Sequence, residues 1–405
     1  MRILMLAHRI PYPPDTGDKI RAYHIVRYLA RRHDVTLGCL VDDRTDLSGV
    51  SALREEVGDL EFSQIWKPWG LLKGVVGLAT GNAISVRYFR SGALRRRVAR
   101  RVSATGYDLV YASSTPMAQY AQSLGLPMVM DFVDVDSDKW TQYGRYSRGL
   151  LRWAYELEGR RLQDVEARIA RWSDRCVLAT RVEETLLKSF APWAKTEVIP
   201  NGIDLEYFRS VAGESSPPGI IFTGAMDYLP NVDAVKYFCH EVLPLVRRTI
   251  PEIPFYIVGL NPHVDVQRLA GIRGVVVTGR VADVRPYYYR SSVCVAPLRM
   301  GRGVQNKVLQ AMAMGLPVVA SSPAHRGLDA KAGEHLHVED EASGFADKVV
   351  RLLSVPEEGQ AMARRARAFV EVHHAWATSC ARLERILQSV ARNGSHPAQA
   401  WVRAC

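Results

Sequence analysis

Residues 299–321 read RMGRGVQNKVLQAMAMGLPVVAS. The stretch is a basic, glycine-rich loop, then a helix, then a buried strand. Gly301 and Gly303 let a backbone approach a ligand closely. Asn306 and Lys307 follow at the expected helix start, where free N–H groups and the helix dipole favour an anion. Val308, Leu309, Met312 and Ala313 recur at helical spacing, Gly315 and Pro317 punctuate, and Val318–Ala320 restart as a strand. Arg299, Arg302 and Lys307 at a helix N-terminus suit a diphosphate. A nucleotide-activated ligand is the expectation.

Working outward, the same alternation fills the chain. Apolar runs predict strands at 2–7, 35–41, 107–112, 127–132 and 175–179, with helices at 20–30 and 151–172. VIPNGIDLEYF (198–208) carries the turn formers Pro200, Asn201 and Gly202 and marks a boundary. A second series of strands is predicted at 220–223, 255–258, 275–278, 293–296 and 318–320, separated by helical segments. Gly224, Gly259, Gly279 and Gly301 sit where those strands end. Such alternation predicts two doubly wound parallel sheets, whose ligands bind beyond the carboxyl ends of the strands. The expected division is 1–198 and 199–375, then a helix at 376–392 crossing back to the first domain, then a loose tail at 393–405.

Composition narrows the partners. The chain has 405 residues, 47% of them apolar, and a formal net charge of +11. A length of that kind fits two domains with substantial cores. The six cysteines are scattered without a CxxC, which fits reduced thiols in the cytoplasm rather than structural zinc. No apolar run reaches the roughly 18–20 residues that span a bilayer. Between Glu61 and Asp108 there is no acidic residue, while Arg87, Arg90, Arg95, Arg96, Arg97, Arg100 and Arg101 crowd one end of that window. The adjoining IWKPWGLLKGVVGLA (65–79) is either a core helix or an interfacial element with Trp and Lys at a membrane surface. With no nucleic-acid motif present, an anionic membrane is the expected partner of this patch.

Acidic residues cluster in VMDFVDVDSDKW (129–140). Asp131 and Asp134 either meet an acceptor hydroxyl or serve the fold, and Asp136 or Ser137 suits a helix N-cap. The run lacks the glycine of a calcium loop, so no metal is expected there. His8, ending the first strand, is either an acceptor-side residue or an ordinary half-buried histidine.

PYPPDTGDKIR (11–21), VMDFVDVDSDKW, FTGAMDYLPNVDAV (222–235) and RGVQNKVLQAMAMG (302–315), in that order, resemble the GT-B glycosyltransferases of retaining family 4 (group 1). The sub-group most similar is that of sugar transferases associated with PEP-CTERM/exosortase exopolysaccharide systems. The resemblance implies two Rossmann-like domains facing a central cleft. It implies transfer of a hexose from a nucleoside diphosphate sugar to a glycan, expected on a lipid carrier, with retention and without metal or other cofactor. The protein would work at the inner face of the cytoplasmic membrane, as a peripheral protein. In donor binding the resemblance places Gly17, Gly224, Gly279, Val281, Gly303, Asn306 and Gln310. Arg299 and Lys307 would neutralise the leaving diphosphate, with Asp131 and Asp134 as further catalytic candidates. His8, Lys19 and Arg21 are expected on the acceptor side.

Two departures stand out. The family usually has two glutamates where this chain has Arg302 and Gln310, and many relatives have a histidine where Val133 stands. An amide can still hydrogen-bond a ribose hydroxyl, but Arg302 cannot replace a carboxylate. These departures keep two alternatives open: a weakly active binding or scaffold subunit, and a nucleotide-sugar 2-epimerase of the same architecture.

Overall fold

The run RILMLA forms β1 (Arg2–Ala7), buried from Ile3 onward and paired on both sides within a parallel sheet. A computed structural model describes residues 1–65, 81–209, 219–301 and 303–393. Six further strands join β1: β2 (Asp34–Val41), β3 (Asp59–Gln64), β4 (Leu109–Ser113), β5 (Met128–Val133), β6 (Arg175–Leu178) and β7 (Thr196–Val198). Their order is β3-β2-β1-β4-β5-β6-β7. The second sheet contains β8 (Ile220–Thr223), β9 (Phe255–Val258), β10 (Val275–Val277), β11 (Val293–Ala296), β12 (Val318–Ala320) and β13 (His337–Val338), ordered β10-β9-β8-β11-β12-β13. Each sheet reverses its strand order once, between β1 and β4 and between β8 and β11. These two switch points are where open parallel sheets hold ligands.

Met1–Pro200 with the chain from Ser379 on forms one compact unit, and Asn201–Thr378 the other. The fold is therefore two Rossmann-like parallel-sheet domains. The strands not anticipated, β3, β7 and β13, all lie at sheet edges. Their mixed or half-exposed faces carry no continuous apolar run, which is the signal a doubly covered strand gives. The segment 66–79, expected as a core or interfacial element, lies outside the described residues, as do Arg302 and the tail from 394.

Five helices position the first unit's functional side chains: α1 (Gly17–Ala30), α2 (Ile84–Tyr88), α3 (Gly92–Ala104), α4 (Asp136–Arg145) and α5 (Gly149–Trp172). Buried glutamates from neighbouring helices satisfy several of their N-termini. Glu158 of α5 accepts from the amides of Ile84 and Ser85 at 2.7 and 2.9 Å. Glu166 accepts from the Ser137 amide at 3.1 Å, and Glu183 from the Val135 amide at 2.7 Å. The expected capping by Asp136 or Ser137 is thus corrected: Val135 is the cap residue of α4, and the Ser137 hydroxyl turns to Glu166. From Ser379 the last helix, α8 (Trp376–Asn393), groups with the first unit. There Glu384 accepts from Tyr28 at 3.0 Å and pairs with His33 at 2.8 Å.

Candidate functional site

In the second unit the carboxyl ends of β8 and β9 touch through backbone. A Cβ on Gly259 would lie 1.6 Å from the Gly224 carbonyl oxygen, so a side chain is excluded there. Asn231, on α6 (Leu229–Tyr237), fills the space beside Gly224 and donates to the Ala225 carbonyl at 2.9 Å. Its Oδ1 in turn accepts from the Lys307 ammonium at 3.1 Å. Lys307 stands in the first turn of α7 (Asn306–Ala313), donates also to Gln305 at 3.2 Å, and lies 5.1 Å from the Phe222 ring centroid.

Lys307 is only 8% exposed. Its hydrogen-bond partners are neutral amides, and no carboxylate pairs with it among the described residues. Burial lowers its pKa from 10.5 to about 8, against a small opposing contribution from Cys294. A cation removed from water without an opposite charge is costly unless a ligand supplies one. The first turn of α7 holds no acidic residue, and its cap residue Gln305 makes no side-chain capping bond. The Lys307 ammonium and the amides from Asn306 on thus gather positive potential at the second sheet's switch point. Gly303 precedes them with φ +62°, a conformation glycine takes without strain.

Arg299 is more exposed, at 56% of its side chain, and it is engaged. Its guanidinium is forked onto Asp233, with Nε to Oδ2 at 2.9 Å, and lies 5.2 Å from the Tyr237 ring centroid. Arg299, expected at the leaving diphosphate, is thus held by the Asp233 carboxylate. Gln310 is half-buried and accepts from the Tyr288 hydroxyl at 3.3 Å, a hydroxyl also 3.0 Å from Thr223. Gly279, with φ +68°, and half-buried Val281 lie in the loop after β10. Asp283 anchors that loop, accepting from Tyr207 at 2.8 Å and from Arg285 at 2.7 Å. These contacts, led by the Arg285 bond, hold Asp283 down at about 2 despite its partial burial.

In the first unit the structure separates the candidates. Gly17 is exposed and opens α1, but Asp18 already occupies the first turn. Burial would raise the Asp18 pKa, yet the hydrogen bond and charge of His8 and the charge of Arg9 hold it well below the usual range. His8 lies 3.1 Å from Asp18, and Phe89 meets its ring edge-on at 5.3 Å. Lys19 is buried between Asp46 (2.9 Å) and Asp15 (3.3 Å). Arg21 and Asp131 are a sealed pair, 2.8 Å apart. Lys19 and Arg21 as acceptor contacts, and Asp131 as a catalytic carboxylate, are therefore corrected to structural roles. The resemblance placed Lys19 and Arg21 on the acceptor side; it did not show that α1 turns those two side chains inward.

Asp134 remains half-buried just past β5. The residue before it, Val133, has φ +65°, rare for a β-branched side chain, at a register shift between Asp131 and Val133. Such strain concentrates at functional sites. Two groups lacked any sequence signal. Asn231 and Asp233 lay inside FTGAMDYLPNVDAV, unmarked by type. The tip between α4 and α5 exposes Tyr146, Leu150, Leu151 and Trp153, each by more than half and Leu150 by 86%, among Arg145, Arg148 and Arg152.

Among the described residues no group of three or more His, Cys, Asp or Glu is placed to hold a metal ion. No helix among them is long and apolar enough to cross a membrane.

Two family models match the sequence: "Glycosyltransferase Family 4" over residues 17–207 and "Glycosyl transferases group 1" over residues 217–355. No curated protein matches it. Solved structures share the fold across nearly the whole chain. Sucrose-phosphate synthase from Thermosynechococcus elongatus superposes with a TM-score of 0.73 at 17% identity, covering 96% of this chain and 99% of that one. Anabaena HepE in complex with UDP-glucose gives 0.69 at 14% identity, covering 96% and 100%. The lipopolysaccharide outer core galactosyltransferase WaaB gives 0.61 at 11% identity, covering 96% and 99%. The chain carries a glycosyltransferase family 4 domain followed by a glycosyl transferases group 1 domain, and it is a glycosyltransferase of the GT-B type.

Proposed function

We propose that this GT-B glycosyltransferase moves a hexose from a nucleoside diphosphate sugar to a hydroxyl of a glycan carried on a lipid. The observation that carries the reading is Lys307, a buried cation with neutral partners at the switch point of the second sheet. A diphosphate is the ligand whose charge such a group lacks. HepE, a structural neighbour, is described in complex with UDP and UDP-glucose, which favours a nucleotide sugar as donor here.

The chemistry proposed is retaining. The bond from the anomeric carbon to the diphosphate oxygen breaks, the acceptor oxygen bonds the same face, and its proton passes to the departing phosphate. No protein nucleophile is needed. The protein's work is positioning and stabilisation of the charge that develops on the leaving group. Lys307 and the amides at the start of α7 supply that stabilisation, with Arg299 oriented by Asp233 beside them. The countercharge is assigned to these groups rather than to a metal. Gly224 and Gly303 keep the strand-end loops close to the ligand. Gly279 and Val281 offer backbone to the base, and Gln310 offers its amide to the ribose. The first unit reads the acceptor with His8 and Asp134.

The biological setting proposed is exopolysaccharide assembly of the PEP-CTERM/exosortase-associated kind, at the inner face of the cytoplasmic membrane. The exposed apolar and basic tip between α4 and α5 supports the membrane part of this reading.

The test is calorimetric titration of the full chain with UDP, GDP, ADP and dTDP, followed by the sugars of whichever base binds. Transfer is then read by mass spectrometry with lipid-linked glycan extracts. One base should bind, and its sugar should appear on the lipid-linked product with its anomeric configuration kept. No binding by any of the four would overturn the donor reading. A 2-epimerase would instead convert UDP-GlcNAc without an acceptor, and a scaffold would bind donor without turnover.

A further inference from the structure

We infer that Lys307 is a modification site, whose side-chain nitrogen takes the acyl group of a small acyl phosphate and thereby shuts the donor site. Several lysines elsewhere in the chain are held by carboxylates. Lys19 lies 2.9 Å from Asp46, Lys188 3.0 Å from Glu184, Lys236 2.8 Å from Asp265 and Lys331 3.4 Å from Glu334. Such a partner favours the ammonium, which has no lone pair and cannot attack a carbonyl. Lys307 instead meets the side-chain oxygens of Asn231 and Gln305 at 3.1 and 3.2 Å, and neither group carries a charge. Burial pushes its ammonium down to about 8, from an ordinary 10.5. At pH 8 roughly half of it is then the free amine, against well under about 1% for an ordinary lysine. A desolvated lysine is the activated form of this nucleophile.

The surroundings of the amine select the reagent. Lys307 stands in the first turn of α7, beside the backbone amides from Asn306 on and with no acid in that turn. Their potential draws a phosphate to the amine. In an acyl phosphate the carbonyl carbon is bonded directly to a phosphate oxygen, so anchoring the phosphate brings the carbonyl to the nitrogen. Lys307 keeps 8% of its surface open, whereas the structural Arg21 keeps 1%. The nitrogen lone pair attacks the carbonyl carbon, the bond from that carbon to the phosphate oxygen breaks, and its electron pair leaves with the phosphate. The proton released from the nitrogen goes to the departing phosphate. The products are an N-acyl lysine and inorganic phosphate, and the amides of α7 stabilise the leaving charge. The new amide is neutral, so the site loses its cation and its attraction for a diphosphate. Recognition of the phosphate rests on the donor reading above, while the reactivity of the amine does not.

The experiment is incubation of the full chain with acetyl phosphate at about pH 8, with acylation of each lysine followed by peptide mass spectrometry. Lys307 should react at least about ten-fold faster than Lys188 and Lys331, whose side chains are 47% and 73% exposed. Acetic anhydride, which has no phosphate, should show a smaller preference for Lys307. Saturating UDP should slow the reaction at Lys307 and leave the other two unchanged. The acylated protein should bind UDP at least about ten-fold more weakly by calorimetry. Lys307 reacting no faster than the exposed lysines, or with equal preference toward both reagents, overturns the assignment. So does acylated protein that binds UDP as the unmodified chain does. Fast, phosphate-dependent acylation that UDP does not slow keeps the modification site and removes the donor diphosphate from it.

Discussion

Arg21 donates to Asp131 at 2.8 and 3.3 Å across a separation of 110 residues, with the two side chains 1% and 0% exposed. Around that pair Arg21 also reaches the Ile199 carbonyl at 2.9 Å, and Asp131 accepts from the Val133 amide at 3.0 Å and from the Tyr111 hydroxyl. Burial and the Asp131 charge push the Tyr111 hydroxyl well above its ordinary pKa, so it stays a donor. Asp131→Ala strands a buried guanidinium and should cost about 3–5 kcal/mol in urea unfolding. Arg21→Met combined with Asp131→Leu should recover much of that loss. Wild-type stability in Asp131→Ala, with turnover gone, would return Asp131 to the substrate.

Lys307 makes donor binding depend on pH. Its folded pKa of about 8 lies below the ordinary 10.5. The charged form therefore costs stability below about pH 8, and the cost fades as pH rises toward 10.5. A bound diphosphate favours the ammonium and raises its pKa. Above pH 8 binding must then take up a proton, and UDP affinity should fall by up to about ten-fold per pH unit. Calorimetry between pH 7 and 9 in two buffers of different ionisation heat reads both effects. Lys307→Met should abolish the pH dependence and weaken UDP strongly, while raising stability by roughly 1–3 kcal/mol. A variant that binds UDP as wild type does would remove Lys307 from the site.

Arg299 and Asp233 test orientation rather than stability. The pair is half open to solvent, so breaking it should change unfolding free energy by no more than about 1 kcal/mol. If Asp233 aims the guanidinium at the leaving diphosphate, Arg299→Ala and Asp233→Ala should both lower kcat with little effect on Tm. Arg299→Ala should lose the more, by an amount near the 2.7–4 kcal/mol roughly typical of a lost oxyanion donor. Unchanged kcat in both would mark the pair as a surface ion pair.

Gly259→Ala should damage the second unit. The new methyl would sit 1.6 Å from the Gly224 carbonyl oxygen, at a residue with φ +155°. The carbonyl belongs to the backbone, so the strand ends themselves must part, at a cost of about 1–3 kcal/mol or more. UDP affinity should fall with it. Gly271→Ala, where nothing lies within 4 Å, is the matched control and should be neutral. Equal stability of the two variants would show that the strand ends separate freely.

What the sequence disclosed follows from physics. Strands such as IIFT and VCVA, covered on both faces, are uninterrupted apolar runs and were legible to the residue. Edge strands such as DLEFSQ give no such signal. At the site, Lys307 was legible because a glycine-rich loop and a helix start surround it. Its partner Asn231 lies 76 positions away, and only the fold joins them. Lys19 and Arg21 misled because charge on a helix is ordinarily solvent-facing, whereas here partners from other segments bury both.

Membrane association is the remaining expectation, and the α4–α5 tip offers a second surface for it besides the arginines of 87–101. The aromatic stretch 66–79 lies outside the described residues, whereas the α4–α5 tip displays Tyr146, Leu150, Leu151 and Trp153. Between residues 144 and 153 there are three arginines and no acid. Arginine near an anionic surface contributes about 1 kcal/mol each and is screened by salt, while buried apolar side chains are not. Wild type should therefore sediment with anionic vesicles at low salt and leave a salt-resistant remainder at high salt. Leu150→Ser with Trp153→Ser should abolish that remainder. Arg145→Glu with Arg148→Glu should weaken the salt-sensitive part and spare UDP binding. If wild type ignores anionic vesicles at low salt, the tip is a solvated hairpin. The acceptor then need not be carried on a lipid.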